Sequence, residues 1–199
     1  MADAVSRTSN KIGTMVIVPA AGITHALSGI GEAFLDGIPM LVIAGGIRTD
    51  VQKSYQLHEW DMHSVLNGIT KKTFKLTNHE DIMAKIFEAY DIAISGCPGP
   101  VFIEIPTKIQ LFKGEVSEIL NYKPTTGKDT INSSQIEEAV DIISKSQRIG
   151  LFLGWGAKEA TAVAVQIAER LDAPVSTTLQ GFSVFPGDHA LFTGMGFGP

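Results

Sequence analysis

The sequence predicts an α/β protein in which parallel sheets are flanked by helices. Short runs of β-branched and apolar residues alternate with segments whose apolar residues recur at helical spacing. Strand–helix–strand repetition of this kind favours parallel strands covered by helices. The alternation occurs before and after a stretch rich in Lys, Gly, Thr and Pro, so we expect two successive units.

The first unit is predicted to cover residues 1–110. Gly37 ends its first long helix, and Asn78 caps a later one. Arg48–Met62 has weak periodicity, and we interpret it as a long loop that leads into a short helix. The predicted strands are Thr14–Val18, Met40–Ala44, Thr73–Leu76 and Pro100–Ile105.

The second unit is predicted at residues 133–199, after a linker at residues 111–132. Ser134 and Glu137 have the spacing of a capping box, which marks the start of a helix. This unit is short for its class and ends after a glycine-rich turn, so we expect only the start of a Rossmann-like domain. The predicted elements are strand Ile149–Leu153, helix Lys158–Leu171 and strand Pro174–Thr177.

Composition excludes several classes of function. The 199 residues carry a net charge of −5, which provides no basic footprint for nucleic acid or for anionic lipid. The longest apolar runs are far shorter than the roughly 20 residues of a membrane span. The single cysteine, Cys97, allows no internal disulfide, and this is typical of a cytoplasmic protein.

Ordered landmarks along the chain resemble thiamine-diphosphate-dependent enzymes of the acetolactate synthase type. The first unit resembles their pyrimidine-binding domain without its N-terminal part, and the second resembles the start of their central domain. Eight ordered matches are more specific than any one of them. In the first unit they are Met1–Arg7, Ala21–Ala33, Asp36–Gly45, Ile69–Lys71 and Ser95–Pro106; in the second they are Gly154–Gly156, Thr177–Gly181 and Gly194–Met195.

This resemblance implies a reaction, a set of cofactors and an assembly. Such enzymes join two 2-oxo acids, pyruvate among them, with loss of carbon dioxide, in branched-chain amino acid biosynthesis. Thiamine diphosphate is the electron sink, Mg²⁺ holds its diphosphate, and acetolactate synthases also carry FAD. The active site lies between two subunits, so a homodimer or homotetramer is expected in the intact enzyme.

On the thiamine side, the resemblance assigns cofactor contacts to Ala21, Gly22 and His25. A turn between a strand and a helix exposes backbone N–H groups, and a glycine there permits close approach of a flat ring. The family usually has Gly-Pro-Gly where this chain has Ala-Ala-Gly at residues 20–22. The resemblance also gives Gln56 a role facing the active site and Lys71 a place near the substrate channel.

On the FAD side, two glycines follow a predicted strand and open a predicted helix, as in a dinucleotide-binding fingerprint. The third glycine of that fingerprint is replaced by Glu159. The alternative interpretation is that these glycine turns only pack the core at the ends of strands and bind no cofactor. The resemblance assigns FAD contacts to Gly154, Gly156, Thr178, Leu179, Gly194 and Met195.

Two functional stretches of the family have no counterpart in this sequence. The activating glutamate is expected just before the segment that Met1–Arg7 resembles, and the Gly-Asp-Gly…Asn cation motif belongs to a C-terminal domain. Gly187–His189 does not reproduce that motif, and His58, Glu59, Asp61 and His63 have no second cluster that would complete a metal site. We therefore expect a gene fragment, a truncated product or one piece of a split enzyme, inactive alone.

The sequence is also compatible with three other hypotheses. The first is another 2-oxo acid decarboxylase or an acyltransferase of the same superfamily, from which FAD binding would distinguish an acetolactate synthase. The second is a non-catalytic binding module. The third, an NAD-dependent dehydrogenase, would use the Gly154–Gly156 turn and Asp172 but leaves the first unit unexplained.

Overall fold

The computed structural model describes residues 1–9, 11–52, 55–123 and 132–196. The chain divides into two compact units, Met1–Thr126 and Gly127–Pro199. Both units contain parallel sheets flanked by helices, which confirms the predicted fold class. Across the described ranges, none of the helices has the length and apolar character needed to cross a membrane.

The first unit contains a four-stranded, wholly parallel sheet with the strand order β1-β2-β4-β3. Its strands are β1 (Gly13–Ile17), β2 (Met40–Gly46), β3 (Lys72–Lys75) and β4 (Pro100–Pro106). Its helices are α1 (Ala2–Thr8), α2 (Ala21–Leu35), α3 (Met62–Leu66), α4 (Asp81–Ile94) and α5 (Thr107–Leu111).

Alternate residues of the central strands serve opposite faces of this sheet, as strand geometry requires. Val42 and Phe102 are fully buried on the face covered by α2 and α3. Leu41, Val101 and Ile103 belong to a second buried cluster that includes residues of α4 and α5. Coverage on both faces explains why β2 and β4 are almost continuously apolar.

The second unit has a smaller parallel sheet with the order β5-β6-β7. A single buried cluster, centred on Ala168, Val175 and Phe185, joins α7 to this sheet. None of the residues of α6, all of which are described, is buried. The elements are α6 (Ser133–Lys145), β5 (Leu151–Leu153), α7 (Thr161–Leu171), β6 (Val175–Thr177) and β7 (Phe192–Met195), with 3₁₀ turns at Trp155–Ala157 and Phe182–Val184.

Helix starts account for three errors of the sequence analysis. The cap of α6 is Asn132, whose side chain accepts from the Ser134 N–H at 3.1 Å, so the capping box predicted at Ser134 is wrong. The helix predicted from Lys158 begins only at Thr161, because residues 158–160, which follow a 3₁₀ turn at Trp155–Ala157, are not helical. The N-cap position of α4 is Glu80 rather than the predicted Asn78, although Asn78 Oδ1 accepts a hydrogen bond from the Asp81 N–H at 3.0 Å.

Part of the predicted linker at residues 111–132 packs on α4 of the first unit. The Tyr122 hydroxyl donates to Asp91 at 2.7 Å, and its ring lies 5.1 Å from that of Tyr90. The Ser117 N–H donates to Glu80 at 2.9 Å. Residues 124–131 lie outside the described residues, so the domain boundaries stay a prediction.

Candidate functional site

The turn between β1 and α2 contains a strained backbone position. Ala20 has φ 50° and ψ −86°, a region that the Cβ of an L-residue disfavours. Its N–H lies 3.5 Å from the Sδ of Met62, the first residue of α3. Strain of this kind persists only where neighbouring structure enforces it, and it concentrates at ligand sites.

Gly22 allows the first turn of α2 to close over the end of β1. A Cβ at this position would lie 2.9 Å from Val18 Cγ1 and 3.2 Å from Ile17 Cβ. No described side chain caps α2, and its first turn, described throughout, has no acidic residue. Backbone N–H groups at Ala21 and Gly22 are therefore available to a ligand at the carboxyl end of β1.

His25 lies on the exposed surface of α2, one turn beyond Ala21. It lines a cavity of about 460 Å³ between α1 and α2, together with Ala2, Met15 and Met40. The imidazole is therefore accessible near the β1–α2 turn, and its role toward a cofactor stays a prediction.

The amide of Gln56 is occupied within the protein. Its Oε1 accepts from the Arg48 N–H at 3.1 Å, and its Nε2 donates to the Arg48 carbonyl at 2.9 Å. This reciprocal pair closes the loop that follows β2. The amide keeps a second Nε2 hydrogen and a second Oε1 lone pair, so a contact between Gln56 and a substrate stays a prediction.

Lys71 lies at the amino ends of β3 and β4, on the edge of the sheet opposite to the β1–α2 turn. Its Nζ donates to the Ile92 carbonyl at 2.5 Å and to the Ser95 carbonyl at 2.6 Å, at the end of α4. Its N–H donates to the Pro100 carbonyl at 2.8 Å, and burial lowers the pKa of its ammonium group. Lys71 stabilises a helix C-terminus here, away from Gly22.

Two acidic side chains of the segment before α3 are used in local contacts, and His58 has a positive φ of 65°. Asp61 caps α3 by accepting from the Ser64 N–H at 3.1 Å, and Glu59 accepts from the Gln56 N–H at 3.0 Å. His63 instead points to β4. Among the described residues, no group of three or more His, Cys, Asp or Glu side chains could hold a metal ion.

A buried carboxylate, which the sequence analysis missed, lies near the carboxyl end of β4. Glu104 is only 3% exposed; its Oε2 lies 2.8 Å from His63 Nε2 and its Oε1 lies 3.1 Å from Lys75 Nζ. Burial raises the pKa of Glu104, but the hydrogen bonds from His63 and Lys75 outweigh that effect, so its pKa lies below the ordinary value. The only signal in the sequence was a glutamate within an otherwise apolar strand.

The second unit brings strand-end residues together at the carboxyl edge of its sheet. The Thr178 N–H donates to the Leu153 carbonyl at 2.9 Å, and its Oγ1 accepts from the Gly181 N–H at 2.9 Å. A Cβ on Gly181 would lie 2.7 Å from the Leu153 oxygen, so glycine is required there. A Cβ on Gly154 would lie 3.8 Å from Thr178 Cγ2, which is an ordinary van der Waals distance.

The predicted fingerprint turn differs from the expected geometry. Gly156 lies within a 3₁₀ turn, and α7 begins five residues later, so the glycines do not open a helix. Gly194 has φ 105°, at an irregularity in the pairing of β7 with β6. Met195 pairs with Thr177, while the Leu179 side chain is exposed.

A strained turn followed by a helix that no described side chain caps, at the carboxyl edge of a parallel sheet, is a common place for a cofactor to bind. Residues 1–65 match the thiamine pyrophosphate enzyme N-terminal TPP binding domain, and residues 136–198 match the central domain of the same enzymes. The chain therefore belongs to the thiamine pyrophosphate enzyme family.

Its relatives include acetolactate synthase large subunits. The protein of Haemophilus influenzae is 32% identical over 98% of this chain, and that of Buchnera aphidicola subsp. Acyrthosiphon pisum is 34% identical over 95%. This chain covers 35% and 34% of those proteins, about a third of their length.

A solved structure agrees with the fold. An X-ray structure described as a thiamin diphosphate-dependent enzyme from Mycobacterium smegmatis superposes with a TM-score of 0.86 at 22% identity. The match covers 98% of this chain and 38% of that one. At this identity the likeness establishes the fold alone.

Proposed function

We propose that this chain contributes the pyrimidine side of the active site of an acetolactate synthase-like enzyme, which condenses two 2-oxo acids with loss of carbon dioxide. The observation that carries the proposal is the β1–α2 turn: Ala20 is strained, Gly22 packs closely on the end of β1, and no described side chain caps α2. The acetolactate synthase large subunits among its relatives support this choice of reaction.

In this proposal the backbone at Ala21 and Gly22 contacts the aminopyrimidine ring, and His25 lies at its border. Thiamine diphosphate, when bound, supplies the electron sink for decarboxylation of the 2-oxo acid. The chain itself binds and orients the ring, because N–H groups at a helix start are fixed donors that need no reorganisation. We assign Gln56 no step, since its amide is held by Arg48.

Mg²⁺ and FAD, the two other cofactors of the resemblance, are treated separately. Among the described residues no cluster could hold Mg²⁺, so we route no step through that ion. For FAD, we propose the carboxyl edge of the β5-β6-β7 sheet, where glycine backbone is open on the Cβ side at Gly156 and Gly194. The proposed contacts are Gly154, Gly156, Thr178, Leu179, Gly194 and Met195. We also propose that the intact enzyme is a cytoplasmic homodimer or homotetramer.

A titration of the full chain with thiamine diphosphate and Mg²⁺, followed by amide NMR, tests the thiamine site. We expect shifts at the amides of Ala21 and Gly22, and weaker binding in Gly22→Ala by at least about tenfold, because the added methyl group displaces the turn. Gly31→Ala, also in α2 but with open space around its Cα, is the matched control. An unshifted turn, or equal binding by both variants, would contradict the proposal.

A titration with FAD distinguishes the acetolactate synthase hypothesis from that of a simple decarboxylase or acyltransferase. We expect quenching of the fluorescence of Trp155, which follows Gly154 at the proposed edge. Binding of thiamine diphosphate without FAD would favour the other members of the superfamily. Binding of neither cofactor by the folded chain would favour a non-catalytic module.

A further inference from the structure

Glu104 is a charged residue in a strand that is otherwise apolar, and its carboxylate has two specific partners. The carboxylate is buried at 3% exposure and receives one hydrogen bond from each of two elements, from His63 of α3 and from Lys75 of β3. A Cβ on Gly46, in the neighbouring β2, would overlap this carboxylate. Glycine at that position therefore leaves room for a charged group between three strands and a helix.

The ionised carboxylate determines how the His63 ring is held. A carboxylate only accepts hydrogen bonds, so the Nε2 of His63 carries the hydrogen that lies between them. The ring also packs edge-on against Phe102 at 5.2 Å between centroids. A histidine whose one nitrogen is bound by a carboxylate and whose ring is packed has a fixed orientation and, as the neutral ring, a fixed tautomer.

Holding His63 also helps to hold α3, whose Met62 and Leu66 side chains are buried in the core. This helix has five residues, too few to be stable without tertiary contacts. Its first residue, Met62, is 3% exposed, and the Met62 Sδ meets the N–H of Ala20 at 3.5 Å. The contacts thus run from Glu104 through His63 and α3 to the strained turn at Ala20.

We propose that Glu104 is a positioning residue: by holding the His63 imidazole it fixes α3, and α3 in turn supports the Ala20 turn at the thiamine-diphosphate site. The inference rests on the proposed function for its ligand. The contacts between Glu104, His63, Met62 and Ala20 can be tested without the ligand. Glu104 itself does not touch the cofactor in this proposal.

The test compares Glu104→Gln with Glu88→Gln in the full chain. Glu88 is a matched control because it also binds two basic side chains, Lys72 and Lys85, but its side chain, on α4, is 38% exposed. In the unmodified protein we expect imidazole NMR to show the Nε2–H form of His63. Glu104→Gln should give mixed tautomers and faster exchange of the Ala20 amide, and Glu88→Gln should change neither.

Ligand affinity gives the second readout. We expect Glu104→Gln to weaken thiamine diphosphate binding about three- to thirtyfold, the range of couplings carried through intervening residues. If the unmodified chain does not bind the cofactor, the proposed function fails, while the tautomer and the Ala20 amide still test the positioning role. An unchanged Ala20 amide in a folded Glu104→Gln protein would overturn the positioning role and leave the proposed function standing.

Met62→Leu provides a second route if Glu104→Gln does not fold. Leucine conserves the volume but removes the sulfur acceptor, so we expect faster exchange of the Ala20 amide with the His63 tautomer unchanged. An Nδ1–H tautomer of His63 in the unmodified protein, or an unaltered Ala20 amide in Met62→Leu, would overturn the inference.

Discussion

The two units share an alternation of strands and helices but differ in how completely their sheets are covered. The sheet of the first unit has strands of up to seven residues and a buried cluster on each face. The second has strands of three or four residues, one cluster, and a helix, α6, whose described residues are all at least partly exposed.

The two units also differ in which residues have a strained backbone. In the second unit the described residues with left-handed backbone are Gly194 and Asp172, which belong to types that adopt this conformation at little cost. In the first unit an alanine, Ala20, has a positive φ, and a carboxylate, Glu104, is buried. The Ala20 N–H contacts the buried Met62, so the candidate thiamine turn depends on the packing of the first unit.

Among the substitutions that test this difference between the units, Phe102→Ala should cause the largest loss of stability. The ring is fully buried and contacts His63, so we expect a loss of about 3–5 kcal/mol in the free energy of unfolding of the first unit. Phe185→Ala, the counterpart in the second unit, should cost less, because its smaller cluster can collapse more readily. Urea unfolding followed by residue-resolved NMR measures both; equal losses would break the comparison.

Glu104→Gln should have the next largest effect, and that effect should depend on pH. The pKa of Glu104 is lowered in the folded protein, so its contribution to stability is present above its ordinary pKa of about 4.3. It is lost as the pH falls through the lowered pKa. We expect the variant to be less stable by about 1–3 kcal/mol at pH 7, because two donors lose a charged acceptor.

Unfolding experiments from pH 7 to pH 3 check this sign. The gap in stability between the unmodified protein and Glu104→Gln should narrow as the pH falls below about 4.3. The same series on Glu88→Gln should show a smaller gap throughout, since surface ion pairs contribute little. A gap that is constant with pH would show that the Glu104 charge is not the stabilising feature.

Most of the fold could be predicted from the sequence because strands buried on both faces leave continuous apolar runs. Met40–Ala44 and Pro100–Ile105 fall within the observed strands β2 and β4. The strand β7 was not predicted, since Thr193 and Gly194 interrupt its apolar pattern and Gly194 has left-handed backbone. Short exposed strands leave a weaker pattern than buried ones.

The candidate site was only partly predictable. Gly22 could be assigned to the turn because the change from strand to helix periodicity marks it in the sequence. The contacts of Lys71 and Glu104 could not, since they depend on residues 21 and 41 positions away in the chain. A charged residue in an apolar strand indicates a buried partner, but sequence spacing does not reveal which one.

Ala20→Gly should stabilise the first unit, whereas Phe102→Ala and Glu104→Gln should destabilise it. Glycine removes the Cβ that opposes φ 50°, and we expect a gain of about 1 kcal/mol after the greater entropy of its unfolded chain is subtracted. Ala21→Gly is the matched control: it lies in the helix, so it should lose up to about 1 kcal/mol. Opposite signs in thermal unfolding are the expected outcome, and a loss in both would contradict strain at Ala20.

Thr177→Val should produce the smallest effect and concerns the second unit. Thr177 is fully buried at the end of β6, and its Oγ1 has no hydrogen-bond partner among the residues that the structure describes. Valine has nearly the same shape without the hydroxyl, so we expect a gain of about 0.5–1 kcal/mol in the free energy of unfolding. Urea unfolding monitored at β6 and α7 amides measures it.

The neighbouring Thr178→Val is the control for this prediction. The Thr178 hydroxyl accepts a hydrogen bond from the Gly181 N–H at 2.9 Å, so its removal should destabilise the same edge by about 1 kcal/mol. If Thr177→Val stabilises the protein and Thr178→Val destabilises it, the Thr177 hydroxyl is buried without a hydrogen bond and costs stability. Destabilisation by both variants would instead mean that the Thr177 hydroxyl has a partner, such as a buried water.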